Sequence, residues 1–251
     1  MKRAVLAAGM MYTCVLLAAT PESGTRFLSP ELKAQQLDEG ANPGMLWVAE
    51  GARLWSEVAG VAQSRCTDCH GDANVSMRGI AARYPSFDAD TGTLLNLEAR
   101  INRCRTQHQG AESLPYESDP LLALTAFVAR QSLGLRVQVA IDGPAAPFYA
   151  AGSAFYHRRQ GQLNLSCAQC HDDNSGRRLR GDTISDGVAT GYPVYRLEWQ
   201  SLGSLHRRLR ACSLGVRARQ FDYGSIEYLG LELFLAKRAE GLPIETPAIR
   251  R

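Results

Sequence analysis

The chain has 251 residues, of which 45% are hydrophobic and 21% charged, and its formal net charge at pH 7 is +3. That length suits two modest domains, each burying its own core. The small charge and the lack of any long Lys/Arg run exclude an electrostatic nucleic-acid binder. Basic character is local, in Arg177-Arg178-Leu179-Arg180 and from His206 to Arg219.

The first predicted elements form a leader. Lys2-Arg3 supplies a positive n-region and Ala4 to Ala19 an apolar h-region, with small residues and Pro21-Glu22-Ser23-Gly24 following. Segment 1–24 is therefore expected to be an export signal peptide. The apolar run is short against the roughly 20 residues that a membrane span needs. An uncleaved N-terminal anchor is the competing possibility. Cys14 sits inside the apolar run without the small residues before it that lipoprotein processing requires. No later stretch is apolar enough to span a bilayer, so the mature chain is expected to carry no membrane span. Ser29-Pro30-Glu31 then opens a helix, with Ser as N-cap and Pro at the first position, in an extension of the first domain.

An internal repeat organises the remainder. Gly51, Trp55 and Cys66 correspond to Gly152, Tyr156 and Cys167 at a shift of 101 residues. The second half then gains seven residues, after which Tyr84-Pro85, Arg100 and Cys104 match Tyr192-Pro193, Arg208 and Cys212 at a shift of 108. Leu124-x-x-Phe127-Val128-Ala129-Arg130 matches Leu231-x-x-Phe234-Leu235-Ala236-Lys237. Apolar residues at helical spacing predict helices from Leu121 to Leu133 and from Ile226 to Ala239, stopped by Gly134 and Gly241.

Of seven cysteines, six remain without the leader, and four of these form Cys66-Thr67-Asp68-Cys69-His70 and Cys167-Ala168-Gln169-Cys170-His171. Cys-x-x-Cys-His is the attachment sequence of c-type haem. The two thiols add to the haem vinyl groups, and the adjacent His is then placed to bind the iron. A redox dithiol or half of a zinc site would use the same cysteines. Two copies, each followed by His, inside a repeat and behind an export signal, point instead to covalent haem. Two haem c groups are expected, on Cys66 and Cys69 with His70, and on Cys167 and Cys170 with His171. Clean strand alternation is scarce, so the fold class expected is all-α, with two duplicated cytochrome c-like domains over 25–140 and 141–251. Their junction falls near Ile141-Asp142-Gly143-Pro144-Ala145-Ala146-Pro147. An exported bacterial chain bearing haem c is expected in the periplasm.

Axial-ligand identity sets haem potential and reactivity. After the leader, Met is represented by Met45 and Met77, both in the first half, and Met77 lies only seven residues past His70. His108, His157 and His206 align with Val216, Ser56 and Glu98, so none has a repeat counterpart. Cys occupies the same repeat position twice. Cys104 is accordingly expected on the first iron and Cys212 on the second. A Cys104–Cys212 disulfide is the alternative, suited to an oxidising compartment.

Arg208 precedes Cys212 by four residues, on one face if the segment is helical. A guanidinium there depresses a thiol pKa and can hold an oxyanion through two hydrogen bonds. His206, Arg207, Arg210, Arg217 and Arg219 cluster around it in sequence. A solvated basic face, or pairing with haem propionates, is the plainer role for these.

Four stretches carry a family resemblance: Asn42-Pro43-Gly44, Gly51 to Gly71, Gly161-Gln162-Leu163-Asn164-Leu165-Ser166, and Arg208-Leu209-Arg210-Ala211-Cys212. In them the sequence resembles the SoxA family, the dihaem cytochrome subunits of SoxAX complexes and L-cysteine S-thiosulfotransferases of sulfur-oxidising bacteria. The resemblance covers nearly the whole mature chain. It implies oxidative conjugation of thiosulfate to a cysteine of a SoxYZ-type sulfur carrier, giving a cysteine S-thiosulfonate and two electrons. It also implies a heterodimer with a monohaem SoxX-like cytochrome. Cys212 matches the family's persulfide-bearing active cysteine and second-haem ligand, Arg208 its substrate-binding arginine, and Cys104 the distal ligand of the first haem. On residues alone, the alternative is a dihaem electron-transfer cytochrome without sulfur chemistry.

Overall fold

The computed structural model describes residues 20–179 and 181–251. Most of the expected leader, Cys14 included, lies outside the described residues. After a 3-10 turn at Gly24–Phe27, the first half comprises α1 (Pro30–Leu37), α2 (Met45–Trp55), α3 (Cys66–His70), α4 (Ala73–Ser76), β1 (Ser86–Asp88), β2 (Thr93–Leu95), α5 (Leu97–Cys104) and α6 (Asp119–Arg130). The second half repeats much of that order. It comprises α7 (Ala146–His157), α8 (Cys167–His171), β3 (Arg178–Leu179), β4 (Asp182–Thr183), β5 (Val194–Arg196), β6 (Ser201–Gly203), α9 (Leu205–Gly215), α10 (Ile226–Arg238) and β7 (Ala248–Arg250). Ser29 caps α1 as its sequence suggests, its side chain accepting from the Leu32 N–H at 3.3 Å.

In each half an apolar helix forms the centre. α6 buries Leu121 through Ala126, Val128 and Ala129, and α10 buries Tyr228 through Leu231 and Leu233 through Ala236. A helix apolar on nearly all sides must be covered on nearly all sides. α2 packs across α6 and α7 across α10. Both crossings depend on a glycine of the repeat. A Cβ on Gly51 would meet the Ala123 carbonyl oxygen at 2.2 Å, and one on Gly152 would meet the Gly230 carbonyl oxygen at 1.9 Å. These are backbone atoms of a buried helix and cannot step aside. Gly152→Ala is thus expected to lower the Tm by about 5–10 °C, checked by thermal unfolding of the holoprotein.

The all-α expectation needs one correction, because short sheets join the helices. β1 pairs antiparallel with β2, β3 with β4, and β5 with β6, while β7 runs parallel to β5. Strands of two or three residues are too brief to display a period-two pattern. β7 also owes its existence to a distant partner rather than to its own sequence. The seven residues gained by the second half fall in the loop that forms the β3–β4 hairpin.

The N-terminal extension reaches the far end of the chain. Asn42 Nδ2 donates to the Pro247 carbonyl at 2.8 Å, and Gln36 Oε1 accepts from the Ile249 N–H at 3.0 Å and from Arg250 Nη1 at 2.8 Å. The two halves share apolar core, with Leu94 and Val137 packed among Leu229, Leu233 and Ile244, and also meet along the starts of α5 and α9. There the repeat-equivalent Tyr116 and Tyr223 stack at 5.8 Å, and Tyr116 stacks on His206 at 5.9 Å. His206 is 1% exposed, accepts from the Gly224 N–H at Nδ1 (3.0 Å) and sets Nε2 3.0 Å from Glu232. Burial, reinforced by Glu232, pushes the nearby Glu98 carboxyl up to about 7. α5 and α9 therefore start from a shared polar seam.

Candidate active site

Each Cys-x-x-Cys-His segment folds as a single helical turn fastened at its start. In α3 the Asp68 carboxylate accepts from the Arg65 N–H at 2.7 Å. In α8 the fastening is a capping box: Ser166 Oγ accepts from the Gln169 N–H at 3.2 Å, and Gln169 Oε1 accepts from the Ser166 N–H at 3.0 Å. Both turns therefore hold their two thiols and the following imidazole in one orientation.

In the first half, Cys66, Cys69, His70 and Cys104 together line a cavity of about 320 Å³. Its walls are mainly apolar, including Trp55, Ile80, Leu97, Leu124 and Val128. Burial pushes the Cys66 thiol up, with Arg105 opposing and Cys104 adding to the rise, so the two sulfurs are electrostatic neighbours. Met77 and His108 also line this cavity, His108 from the π-turn Arg105–Gln109 that continues α5. A large apolar space with two thiols and an imidazole at its edge fits a covalently attached haem, with Cys104 supplied from a separate helix.

In the second half, His171 is oriented from behind. Its Nδ1 donates to the Ser185 carbonyl at 2.7 Å, which leaves the Nε2 lone pair available to a metal. That loop is itself tied down, because Arg238 Nη2 donates to the Asp186 carbonyl at 2.9 Å and to Asp172 Oδ1 at 2.7 Å. Tyr156, the counterpart of Trp55, donates its hydroxyl to the same Asp172 oxygen at 2.9 Å. Gly187 is required between them: its φ is +66°, and a Cβ there would meet His171 Cγ at 2.9 Å.

Cys212 lies in the electrostatic neighbourhood of His171, Cys167 and Cys170. Burial would raise the Cys212 thiol, but Arg208, the contact with His171 and Arg196 outweigh it and hold it at about 7. Arg208 lies one turn earlier on α9 and forms no salt bridge among the described residues. Cys104 and Cys212 are not joined to each other and belong to separate clusters, so the disulfide alternative falls.

The rest of the basic cluster does not converge on the sulfur. His206 is buried in the seam between the halves. Arg207 lies over Trp199 at 4.2 Å, Arg210 donates to the Phe221 carbonyl, Arg217 faces Gln162 at 3.4 Å, and Arg219 lies over Phe221 at 5.1 Å. The cation that sequence reasoning missed is Arg196 on β5, only 4% exposed. Its signal was present in the repeat, where the shift of 108 aligns it with Asp88.

A model of the SoxA/TsdA cytochrome c domain matches this chain twice, over residues 50–137 and 151–244. The chain belongs to the SoxA/TsdA cytochrome c family. Among relatives, the L-cysteine S-thiosulfotransferase subunit SoxA of Pseudaminobacter salicylatoxidans is 39% identical over 246 residues, covering 94% of this chain and 86% of that protein. The subunit of the same name from Rhodovulum sulfidophilum is 38% identical over 228 residues, covering 91% and 79%. The crystal structure of SoxXA from P. pantotrophus superposes with a TM-score of 0.88 at 36% identity, covering 91% of this chain and 86% of that one. Membership of this cytochrome c family makes covalently bound haem c the cofactor, in agreement with the donor sets already described. Among the described residues no helix is long and apolar enough to cross a membrane.

Proposed function

We propose that this SoxA-family chain oxidatively joins thiosulfate to a cysteine of a SoxYZ-type sulfur carrier. The observation that carries this is Cys212: a half-buried sulfur one turn after Arg208 on α9, an arginine with no salt bridge among the described residues, whose charge helps lower the thiol to about 7. Such a sulfur is nucleophilic at neutral pH, and the guanidinium offers a fork for a small dianion. Two haem c groups would be held, one through Cys66 and Cys69 with His70 and Cys104 as iron ligands, the other through Cys167 and Cys170 with His171 and Cys212. When bound, haem c supplies one-electron acceptor chemistry beside the sulfur.

Arg208 orients thiosulfate through its oxygens so that the terminal sulfur faces the Cys212 sulfur, carried as a persulfide. An S–S bond would form with loss of two electrons, for which haem c would be the acceptor. The carrier thiolate then attacks the sulfur of the bound thiosulfate, and the Cys212 sulfur departs as an anion. The net change is thiol plus thiosulfate to cysteine S-thiosulfonate, one proton and two electrons. The domains run over 25–140 and 141–251, the leader over 1–24 directs export to the periplasm, and a monohaem SoxX-like cytochrome completes a heterodimer.

Intact mass with peptide mapping, joined to turnover of thiosulfate with a carrier thiol, tests this reading. Two haem additions, extra sulfur on Cys212 and thiosulfate-dependent turnover are expected. Two haems with an unmodified Cys212 and no turnover would leave a dihaem electron carrier.

A further inference from the structure

The two halves present the same scaffold with opposite electrostatics, and one repeat position makes the difference. In the first half, Asp88 ends β1 and Arg100 lies on α5; their side chains meet at 3.3 Å. Asp88 also lies 3.9 Å from Arg103, and the Arg100 Nε donates to the Tyr84 hydroxyl at 3.2 Å. Arginine in that half is thereby occupied by a carboxylate 9% exposed. The corresponding residues of the second half are Arg196 on β5, Arg208 on α9 and Tyr192. Where a carboxylate neutralises the first arginine, a second arginine stands beside the other.

The charge of half-buried Arg208 acts on buried Arg196, and such like charges are unfavourable without an anion between them. Arg196 is only partly compensated. Glu198 and Asp182 approach its Nη2 at 3.4 and 3.9 Å, but their side chains are 58% and 49% exposed, so water screens them. Trp199 covers one face of the guanidinium at 5.1 Å. Its Nε is buried and has no partner among the described residues. A side chain 5% exposed with an unused N–H edge is arranged for a ligand.

We propose that Arg196 is a second anion-holding group of the Cys212 site, and that the exchange of Asp88 for Arg196 between the repeats confines oxyanion binding to the second. The inference rests on the thiosulfate reading above and adds its specificity determinant. Arg208 alone engages one edge of a dianion. Arg196, from a different element, supplies the second charge and fixes the anion's orientation against the sulfur. The first half, with Asp88 in place, repels such a ligand.

The test uses the holo heterodimer and the variants Arg196→Gln, Arg196→Lys and Arg196→Asp, with Arg208→Gln as comparison. Steady-state turnover yields KM and kcat for thiosulfate, and calorimetry measures binding of sulfate, an unreactive dianion probe. Arg196→Gln is expected to raise the thiosulfate KM and weaken sulfate binding by roughly 10–100-fold, with kcat changed much less. Arg196→Lys keeps the charge and is expected to stay within about tenfold of wild type. Arg196→Asp recreates the first-half pair and is expected to abolish sulfate binding; if it does not fold, the Gln and Lys variants carry the test. Wild-type KM and sulfate affinity in Arg196→Gln, alongside their loss in Arg208→Gln, would overturn the role of Arg196 and leave the thiosulfate reading intact. A lysine variant as weak as the glutamine variant would also overturn it, since charge would not be the cause. A wild-type protein that neither turns over thiosulfate nor binds sulfate would remove both.

Discussion

Replacing Cys212 with alanine is expected to reduce thiosulfate-dependent turnover by at least about a thousandfold while leaving both haems covalently attached. The two consequences separate because they depend on different atoms. Covalent attachment at the second site uses Cys167 and Cys170 on α8, which is held by its own capping box. Cys212 arrives from α9 and contributes nothing to those bonds. Its contribution is the sulfur itself, and no other described group beside His171 can replace a nucleophile held near neutral ionisation. Cys212→Ser is expected to behave alike, since a hydroxyl in the same place remains protonated. Haem content by mass and absorbance, measured with turnover on the same preparation, checks both halves of the prediction. A variant retaining wild-type turnover would rule out Cys212 as the reacting sulfur.

The second large effect belongs to Arg208. Its replacement by glutamine is expected to lower kcat/KM by roughly a hundredfold to a thousandfold, about 3–4 kcal/mol. Two losses combine. The substrate dianion forfeits a bidentate charged partner, and the Cys212 sulfur forfeits the cation that does most to offset its burial. Arg208→Lys is expected to recover part of the loss, because it restores charge without the planar fork. Unchanged kcat/KM in the glutamine variant would remove Arg208 from the site.

Local chemistry explains which features were readable along the chain. Ser166 and Gln169 are three residues apart, so their reciprocal capping is written within one turn. Arg208 and Cys212 are four apart on a helix, and one turn places them together. Gly51 and Gly152 marked the repeat in sequence, but their reason lies in the carbonyls of α6 and α10 that they touch. His206 illustrates the opposite case. It is two residues from Arg208 in sequence, yet it points into the seam between the halves against Glu232.

The sequence by itself determined the two haem motifs, the duplication and the pairing of one further cysteine with each motif's half. These depend on spacing within a turn or on correspondence between equivalent positions, and both survive any packing. The tertiary structure alone decided which cations face Cys212, because a side chain's direction across elements follows from how helices and strands dock. Arg196 reaches the site from a three-residue strand whose existence depends on β6 and β7, the latter more than 50 residues away. Arg207, Arg210, Arg217 and Arg219, though nearer in sequence, turn toward aromatic rings, a carbonyl and a surface amide instead. Charge counted along the chain measures composition; charge at a sulfur is set by three-dimensional packing.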